Sequence, residues 1–373
     1  MTARGRLFYS RNLYDLPESD GLFTAALREN LRWHWQRCPE YRALLQSRGF
    51  DPAQFQGVGD IAAIPPLPTL FLKRHPLFSV PEQRLLFRAV SSGTKGRASR
   101  VGLDWDTSWL ALGMVLRTFA FHRLLSPVPV NYVILGYQPR KENRTGVAQT
   151  AFGATLLAPA LSRTYALRWD VDGYRVDLEG VIDALRRSAK AGWPVRLLGF
   201  PAYLLFLLEA LEERGLCLKL HPASRIMTGG GWKQFFSQKA DRGELYARAE
   251  AMLGIKDGHC HDFFGAVEHP ILYCDCPRHH FHVPRYSRIV IRDPDTWQPL
   301  PYGRPGLLNL ITPLMRSMPL LSVVTDDLAI LHPGASCGCG ITAPWFEVLG
   351  RVGLEQIRTC AAGAGELLRE VKL

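Results

Sequence analysis

The sequence predicts a mixed α/β fold that ends in a β-rich portion. Two patterns lead there. Short apolar runs at residues 132–135 and 195–200 alternate with stretches of helical period, and late in the chain 288–292 and 307–311 flank a Pro/Gly-rich turn as the arms of a β-hairpin do. With 373 residues, 47% of them hydrophobic, the chain can fill a large core.

The elements follow in order. Residues 19–49 read as a helix or helix pair capped by Ser19 or Asp20, with Phe23, Leu27 and Leu31 at helical spacing and Gly49 as the stop. A proline-rich connector, Ile64-Pro65-Pro66-Leu67-Pro68, precedes a short strand at 87–90 that delivers the polar loop Ser91-Ser92-Gly93-Thr94-Lys95-Gly96. Asp106 or Thr107 can cap the next helix, which carries Leu110, Val115, Leu116 and Phe119. The strand at 195–200 runs into a helix opened by Pro201 and closed by Gly215, and 225–228 leads into Gly229-Gly230-Gly231-Trp232-Lys233. No internal repeat and no long linker is visible.

Composition narrows the partners. The formal net charge of +11 favours anions, but the cations are scattered as singles and pairs such as Arg186-Arg187, without the clustered stripe of a nucleic-acid footprint. A nucleotide is the expected partner, and nucleic acid is not. The first twenty residues lack a secretory apolar core, and the apolar run 197–208 is too short to span a membrane and contains Pro201, so a cytoplasmic protein without membrane insertion is expected. In that setting eight cysteines read as metal ligands or reactive thiols rather than disulfides.

The loop Ser91-Ser92-Gly93-Thr94-Lys95-Gly96-Arg97 has the chemistry to hold phosphate. Its glycines admit backbone N–H groups, its hydroxyls donate, and Lys95 or Arg97 offsets charge; the spacing is not that of a P-loop. Cys274-Asp275-Cys276, then His282, then Cys337-Gly338-Cys339 supply two thiol-rich turns and an imidazole, the donor types of a closed zinc site. His259, His261 and His269 read as hydrogen-bonding or packing groups rather than a second metal site.

These loops resemble those of adenylate-forming enzymes. The closest likeness is to the LuxE-type acyl-protein synthetases, with phenylacetate-CoA ligases as more distant relatives. It is carried by IPPLPTLFLK (64–73), residues 91–100, GGGWK (229–233), FFGAVEH (263–269) and most of 281–360, which together span nearly the whole chain in the family's order. The resemblance implies the large α/β N-terminal domain of adenylate-forming enzymes over residues 1–349 and a short tail, 350–373, in place of a mobile domain of about a hundred residues. It implies that Gly229, Gly230 and Gly231, continued by Phe264 and Gly265, form the wall against adenine. Glu268 would help hold Mg²⁺, Asp327 would accept the ribose hydroxyls of ATP, and Arg351 in Gly350-Arg351-Val352 would mark the hinge. Thr94, Lys95 and Arg97 would neutralise phosphate charge during attack by a carboxylate.

From the same resemblance come a structural Zn²⁺ on Cys276, His282, Cys337 and Cys339, with Cys274 and His280 as substitutes, and an acyl-accepting thiol at Cys360, where Thr359 replaces the family's usual glycine. The implied activity is ATP-dependent activation of a carboxylic acid, self-acylation on Cys360, and transfer to a partner such as an acyl reductase. Gly199, Phe200, Pro201 and the Tyr203 helix would line the acyl pocket, and Lys73 and Lys233 match recurrent lysines without a defined role. Two other readings stay open: a ligase with an external acceptor (coenzyme A, an amine or a carrier-protein thiol), and a basic zinc protein that binds nucleic acid.

Overall fold

The computed structural model describes residues 1–90, 99–139, 153–171, 173–232 and 240–351. The chain forms two compact units, Met1–Phe121 with Gly265–Leu373, and His122–Phe264. In chain order the elements of the first segment are α1 (Ala3–Tyr9), α2 (Leu16–Arg37), α3 (Pro39–Ser47), β1 (Leu67–Pro68), α4 (Thr69–Arg74), β2 (Leu85–Val90), β3 (Arg100–Asp104) and α5 (Trp105–Phe121). The second unit contributes β4 (Val130–Tyr137), β5 (Ala160–Asp170), β6 (Gly173–Val176), α6 (Leu178–Ala191), β7 (Val195–Gly199), α7 (Pro201–Glu213), β8 (Arg225–Gly229) and α8 (Arg242–Leu253), and β9 (Cys260–Ala266) leads out of it. The remainder is β10 (His269–Cys274), β11 (Phe281–His282), β12 (Arg288–Arg292), β13 (Pro299–Leu300), β14 (Pro305–Ile311), β15 (Ser322–His332) and β16 (Trp345–Arg351).

The first unit is built on a sheet of order β11-β16-β15-β14-β12-β13, with β1 added in parallel to β15. The predicted hairpin is present, Arg288 lying opposite Ile311 and Arg292 opposite Leu307, although β13 interrupts the connection. The predicted helix pair is also present, broken where Pro39 follows Cys38. Its cap differs from the expectation. Asp15, not Ser19 or Asp20, accepts the Glu18 N–H, because Pro17 has already started the helix. Likewise Asp104, not Asp106 or Thr107, accepts from the backbone N–H of Thr107 at 2.8 Å.

Helix α2 is tied to the loop after β14 by buried polar contacts: Asn30 donates to the carbonyls of Pro313 and Met315, and His34 Nε2 donates to Met315 at 3.1 Å. His34 Nδ1 therefore accepts from Ser79 Oγ, 2.7 Å away. Burial holds His34 neutral down to a pKa of about 3, and burial alone does the same for His269. In the unfolded chain an imidazole takes its proton near pH 6.5, so stability is complete above that value and falls as pH drops toward 3. Each histidine should remove about 2 kcal/mol by pH 5. Urea titrations at pH 7 and pH 5 check this; an equal midpoint at both would contradict it.

In the second unit β9-β8-β7-β4-β5 run parallel and β6 closes the edge antiparallel to β5. One face is apolar and covered: Val133, Leu135, Val195, Leu197, Ile226 and Cys260 pack with α6, α7 and α8 through residues such as Ile182, Leu185, Leu204, Leu208, Leu245 and Leu253. Such a sheet gathers ligand sites at the carboxyl ends of its strands. Gly199 and Gly229 occupy those ends.

Candidate functional site

At the end of β7, Gly199 has φ +145°, and a Cβ there would stand 2.2 Å from the Leu135 carbonyl oxygen. Only glycine fits. The chain then enters α7 through buried Phe200 and Pro201, and the rings of Phe200, Tyr203 and Phe206 follow one another at 6.0 Å centroid spacing. The predicted acyl-pocket residues thus form a continuous aromatic edge in the second unit.

On the next strand Gly229 lies opposite Phe263 of β9, and Gly230 and Gly231 adopt left-handed φ values of +77° and +66°. Gly229 ends β8, Gly230 and Gly231 follow it, and Phe264 lies on the neighbouring strand β9. Thr228 and Arg242 both bind the carboxylate of Asp262, at 3.0 and 3.3 Å, which fixes β9 beside β8. Asp262 was not anticipated.

Gly265 is the penultimate residue of β9, and Glu268 sits in the tight turn between β9 and β10. Its residue is only 5% exposed, and among the described residues its carboxylate has no hydrogen-bond partner. Its oxygens keep access to solvent, and a carboxylate that no protein donor occupies can take a hard cation such as Mg²⁺.

Asp327 lies on β15 directly opposite Arg351 of β16, which places the predicted ribose acceptor and the predicted hinge residue on adjacent strands. Its neighbour Asp326 has a different task. Consecutive strand residues point to opposite faces, and Asp326 is buried, accepting from Thr69 Oγ1 at 2.8 Å and facing Lys73 Nζ at 3.7 Å. Thr69 and Lys73 share one face of α4, which β1 delivers to β15 by its parallel pairing of Leu67 with Val323. The doublet Asp326-Asp327 in the sequence carried this signal: one of the two had to face inward and find a counter-charge.

The predicted metal residues converge. The ligand atoms of Cys276, His282, Cys337 and Cys339 all lie within 4.8 Å of one another. Cys276 Sγ is 3.6 Å from Cys337 Sγ, and Cys339 Sγ is 3.2 Å from His282 Nε2. His282 Nδ1 donates to the Ala343 carbonyl at 2.7 Å, which fixes the tautomer that leaves Nε2 as a lone-pair donor. Backbone N–H groups of Arg278 and Ile341 point at the sulfurs of Cys276 and Cys339. Gly338 and Gly340, both at positive φ, allow the turn that aims Cys337 and Cys339 at one point. Burial, reinforced by the neighbouring cysteines, pushes the Cys337 thiol up to about 12. Of the substitutes, His280 lies 3.1 Å from Cys337 Sγ, stacked on Trp345, whereas Cys274 is outside the set. Three sulfurs and one imidazole nitrogen are the donor set of a closed tetrahedral zinc site.

The loop residues Ser91, Ser92, Gly93, Thr94, Lys95, Gly96 and Arg97, together with Lys233 and Cys360, lie outside the described residues. Among the described residues no helix is long and apolar enough to cross a membrane.

Solved structures share this architecture. A 2-hydroxyisobutyryl-CoA ligase crystallised in an open conformation with 2-HIB-AMP and CoA superposes with a TM-score of 0.67 at 18% identity, over 91% of this chain and 76% of that one. The fold is that of adenylate-forming enzymes. In sequence, the chain is 24% identical over 356 residues to a long-chain-fatty-acid–luciferin-component ligase of Vibrio harveyi, covering 93% of this chain and 88% of that protein. It is 26% identical over 358 residues to a phenylacetate-coenzyme A ligase of Thermus thermophilus, covering 92% and 73%. The family model of the acyl-protein synthetase LuxE matches residues 7–368, and the chain belongs to that family.

Proposed function

We propose that this protein activates a long-chain fatty acid with ATP and takes the acyl group onto Cys360 before passing it to a partner of the acyl-reductase type. Family membership and the fatty-acid ligases among its relatives support the substrate class. The observation that carries the adenylation reading is Glu268, whose carboxylate stands in the turn that follows β9, engaged by no donor among the described residues and open to solvent. Mg²⁺ held there would offset phosphate charge. Asp327 would accept the ribose hydroxyls, Gly229–Gly231 and Phe264 would receive adenine, and the Phe200–Tyr203–Phe206 edge would meet the acyl chain.

In the first step a carboxylate oxygen of the acid bonds to the α-phosphorus as the bond to the bridging oxygen breaks, releasing pyrophosphate and leaving acyl-AMP. Ser91, Ser92, Gly93, Thr94, Lys95, Gly96 and Arg97 would hold the phosphates by their N–H, hydroxyl and cationic groups. In the second step the Cys360 thiolate attacks the acyl carbon and AMP leaves, giving a thioester. A structural Zn²⁺ on Cys276, His282, Cys337 and Cys339 would tie β11 to the turn before β16, near the strand pair that carries Asp327 and Arg351, and takes no part in either step.

Intact-protein mass spectrometry tests the second step. After incubation with ATP, Mg²⁺ and a panel of fatty and aromatic acids, the wild type should carry a hydroxylamine-labile acyl adduct and Cys360→Ala should carry none. Continued acyl-AMP formation without any adduct on the wild type would instead assign an external acceptor such as coenzyme A, the chemistry named for the Thermus relative.

A further inference from the structure

The face of the second unit's sheet opposite α6, α7 and α8 is also buried, at Tyr132, Ile134, Leu198 and Met227, and holds a cluster that the adenylation reading does not use. Val195, Leu197 and Ile226 point into the helix-covered core, so Arg196 and Arg225 point the other way. The register puts them side by side: Arg196 is opposite Arg225 on one flank and opposite Tyr132 on the other, and Tyr132 is opposite Arg163. His259, one residue before the strand partner of Ile226, extends the row beyond Arg225.

Arg196 is only 2% exposed, and its NH1 has no hydrogen-bond partner. Among the described residues, no carboxylate stands within ion-pair distance of Arg196 or Arg225. Among the described residues the hydrogen-bonding side chain beside Arg196 is the Tyr132 hydroxyl, a neutral phenol already engaged with the backbone of Ala158. His259 is bound to the backbone of Pro222 and Ser224 and offers no negative charge. Burial, then the neighbouring Arg196, draws the Arg225 guanidinium below its ordinary value.

Two like charges on strands about 4.8 Å apart, one of them buried, repel unless something neutralises them. A buried lysine or histidine escapes by losing its proton, but a guanidinium does not at neutral pH. Relief has to come from an anion. We propose that Arg196 and Arg225 form a binding site for a tetrahedral phosphate-type dianion, either inorganic phosphate or the phosphoryl end of a monoester, held by the inward guanidinium of Arg196 and reached past the half-buried Arg225. The site is distinct from the nucleotide site. Arg225 opens β8 and Gly229 closes it, which sets the two about 13 Å apart along the strand.

Thermal denaturation of the full chain at constant ionic strength, with inorganic phosphate replacing chloride, tests the site. The wild-type Tm should rise saturably. Because residues 91–97 are also expected to hold phosphate, the response is read as the difference from Arg196→Met and Arg225→Met, in each of which the apparent Kd for phosphate should weaken at least about tenfold, the effect of losing one charge-assisted contact. Arg196→Met should also start from an equal or higher Tm without phosphate, since an unpaired buried cation has been removed. Should that variant fail to fold, Arg225→Met, altered at a half-buried position, still decides the matter. A parallel titration with glycerol phosphate identifies the source: a matching response indicates a phosphate monoester, and a response to inorganic phosphate alone indicates the free ion. A wild type that does not respond, or variants that respond as the wild type does, would overturn the proposal.

Discussion

Lys73→Met should destabilise the protein by about 3–5 kcal/mol, because it removes the ammonium that faces the buried Asp326 carboxylate beside Thr69. Both side chains of the pair are 5% exposed, so water cannot take over the role of the ammonium. The cost should come mainly from the desolvated Asp326 charge that has lost its ammonium rather than from the lost attraction itself. Lys73→Met combined with Asp326→Leu should therefore recover most of it, a coupling that urea denaturation of the two single variants and the double variant measures directly. Equal and additive losses would show that the pair is not coupled. The pair also bears on ATP. Asp326 anchors the strand on which Asp327 is the next residue, so in the double variant, refolded but with that anchor gone, KM for ATP should rise several-fold more than kcat falls. Lys73→Arg, which keeps the charge, should retain near-normal KM.

The second large effect concerns the cysteine cluster. Purified protein should contain one zinc per chain, and removing it with a strong chelator should cost on the order of 5 kcal/mol or more, since ligands brought together from two distant turns bind metal only in the fold. Cys337→Ser and Cys276→Ser should each lower zinc content below half and reproduce the loss of stability. Cys217→Ser, at an exposed position outside the cluster, should leave both unchanged. Metal analysis and thermal denaturation of the same samples give the answer without any activity assay. A full complement of zinc in Cys337→Ser would remove that residue from the ligand set.

Where local signals dominate, the sequence was legible nearly to the residue. The run 195–199, Pro201 at the first turn and Gly215 at positive φ delimit β7 and α7 because each end is marked by a residue with a single conformational role. The glycines after β8 and the Cys-x-Cys turns were visible for the same reason. β5 was missed. Its exposed residues 161–163 and 168–170 flank a short buried middle, so no clean alternation shows. The caps at Asp15 and Asp104 were misplaced because several acidic or hydroxyl residues compete within each turn. What no local pattern can show is register. The pairing of Lys73 with Asp326, the abutment of Arg196 on Arg225, and the assembly of the first unit from two separated segments all depend on which strands become neighbours.

The resemblance supplied what pattern could not, namely which four of the clustered Cys and His residues belong together. The geometry agrees with that choice. For Glu268 the sequence offered only an acidic residue in a loop; the structure adds that this loop is the tight turn between β9 and β10 and that no protein donor among the described residues occupies the carboxylate.

Acid-dependent release of pyrophosphate from ATP is the most direct test of the adenylation chemistry. In the presence of Mg²⁺ and a long-chain fatty acid the wild type should release pyrophosphate and AMP, not phosphate and ADP. Without acid the release should fall to background, and in Glu268→Gln it should fall by about a hundredfold or more, as expected when transition-state charge loses its neutralising partner. Release that is independent of any acid, or a Glu268→Gln variant as active as the wild type, would contradict the account.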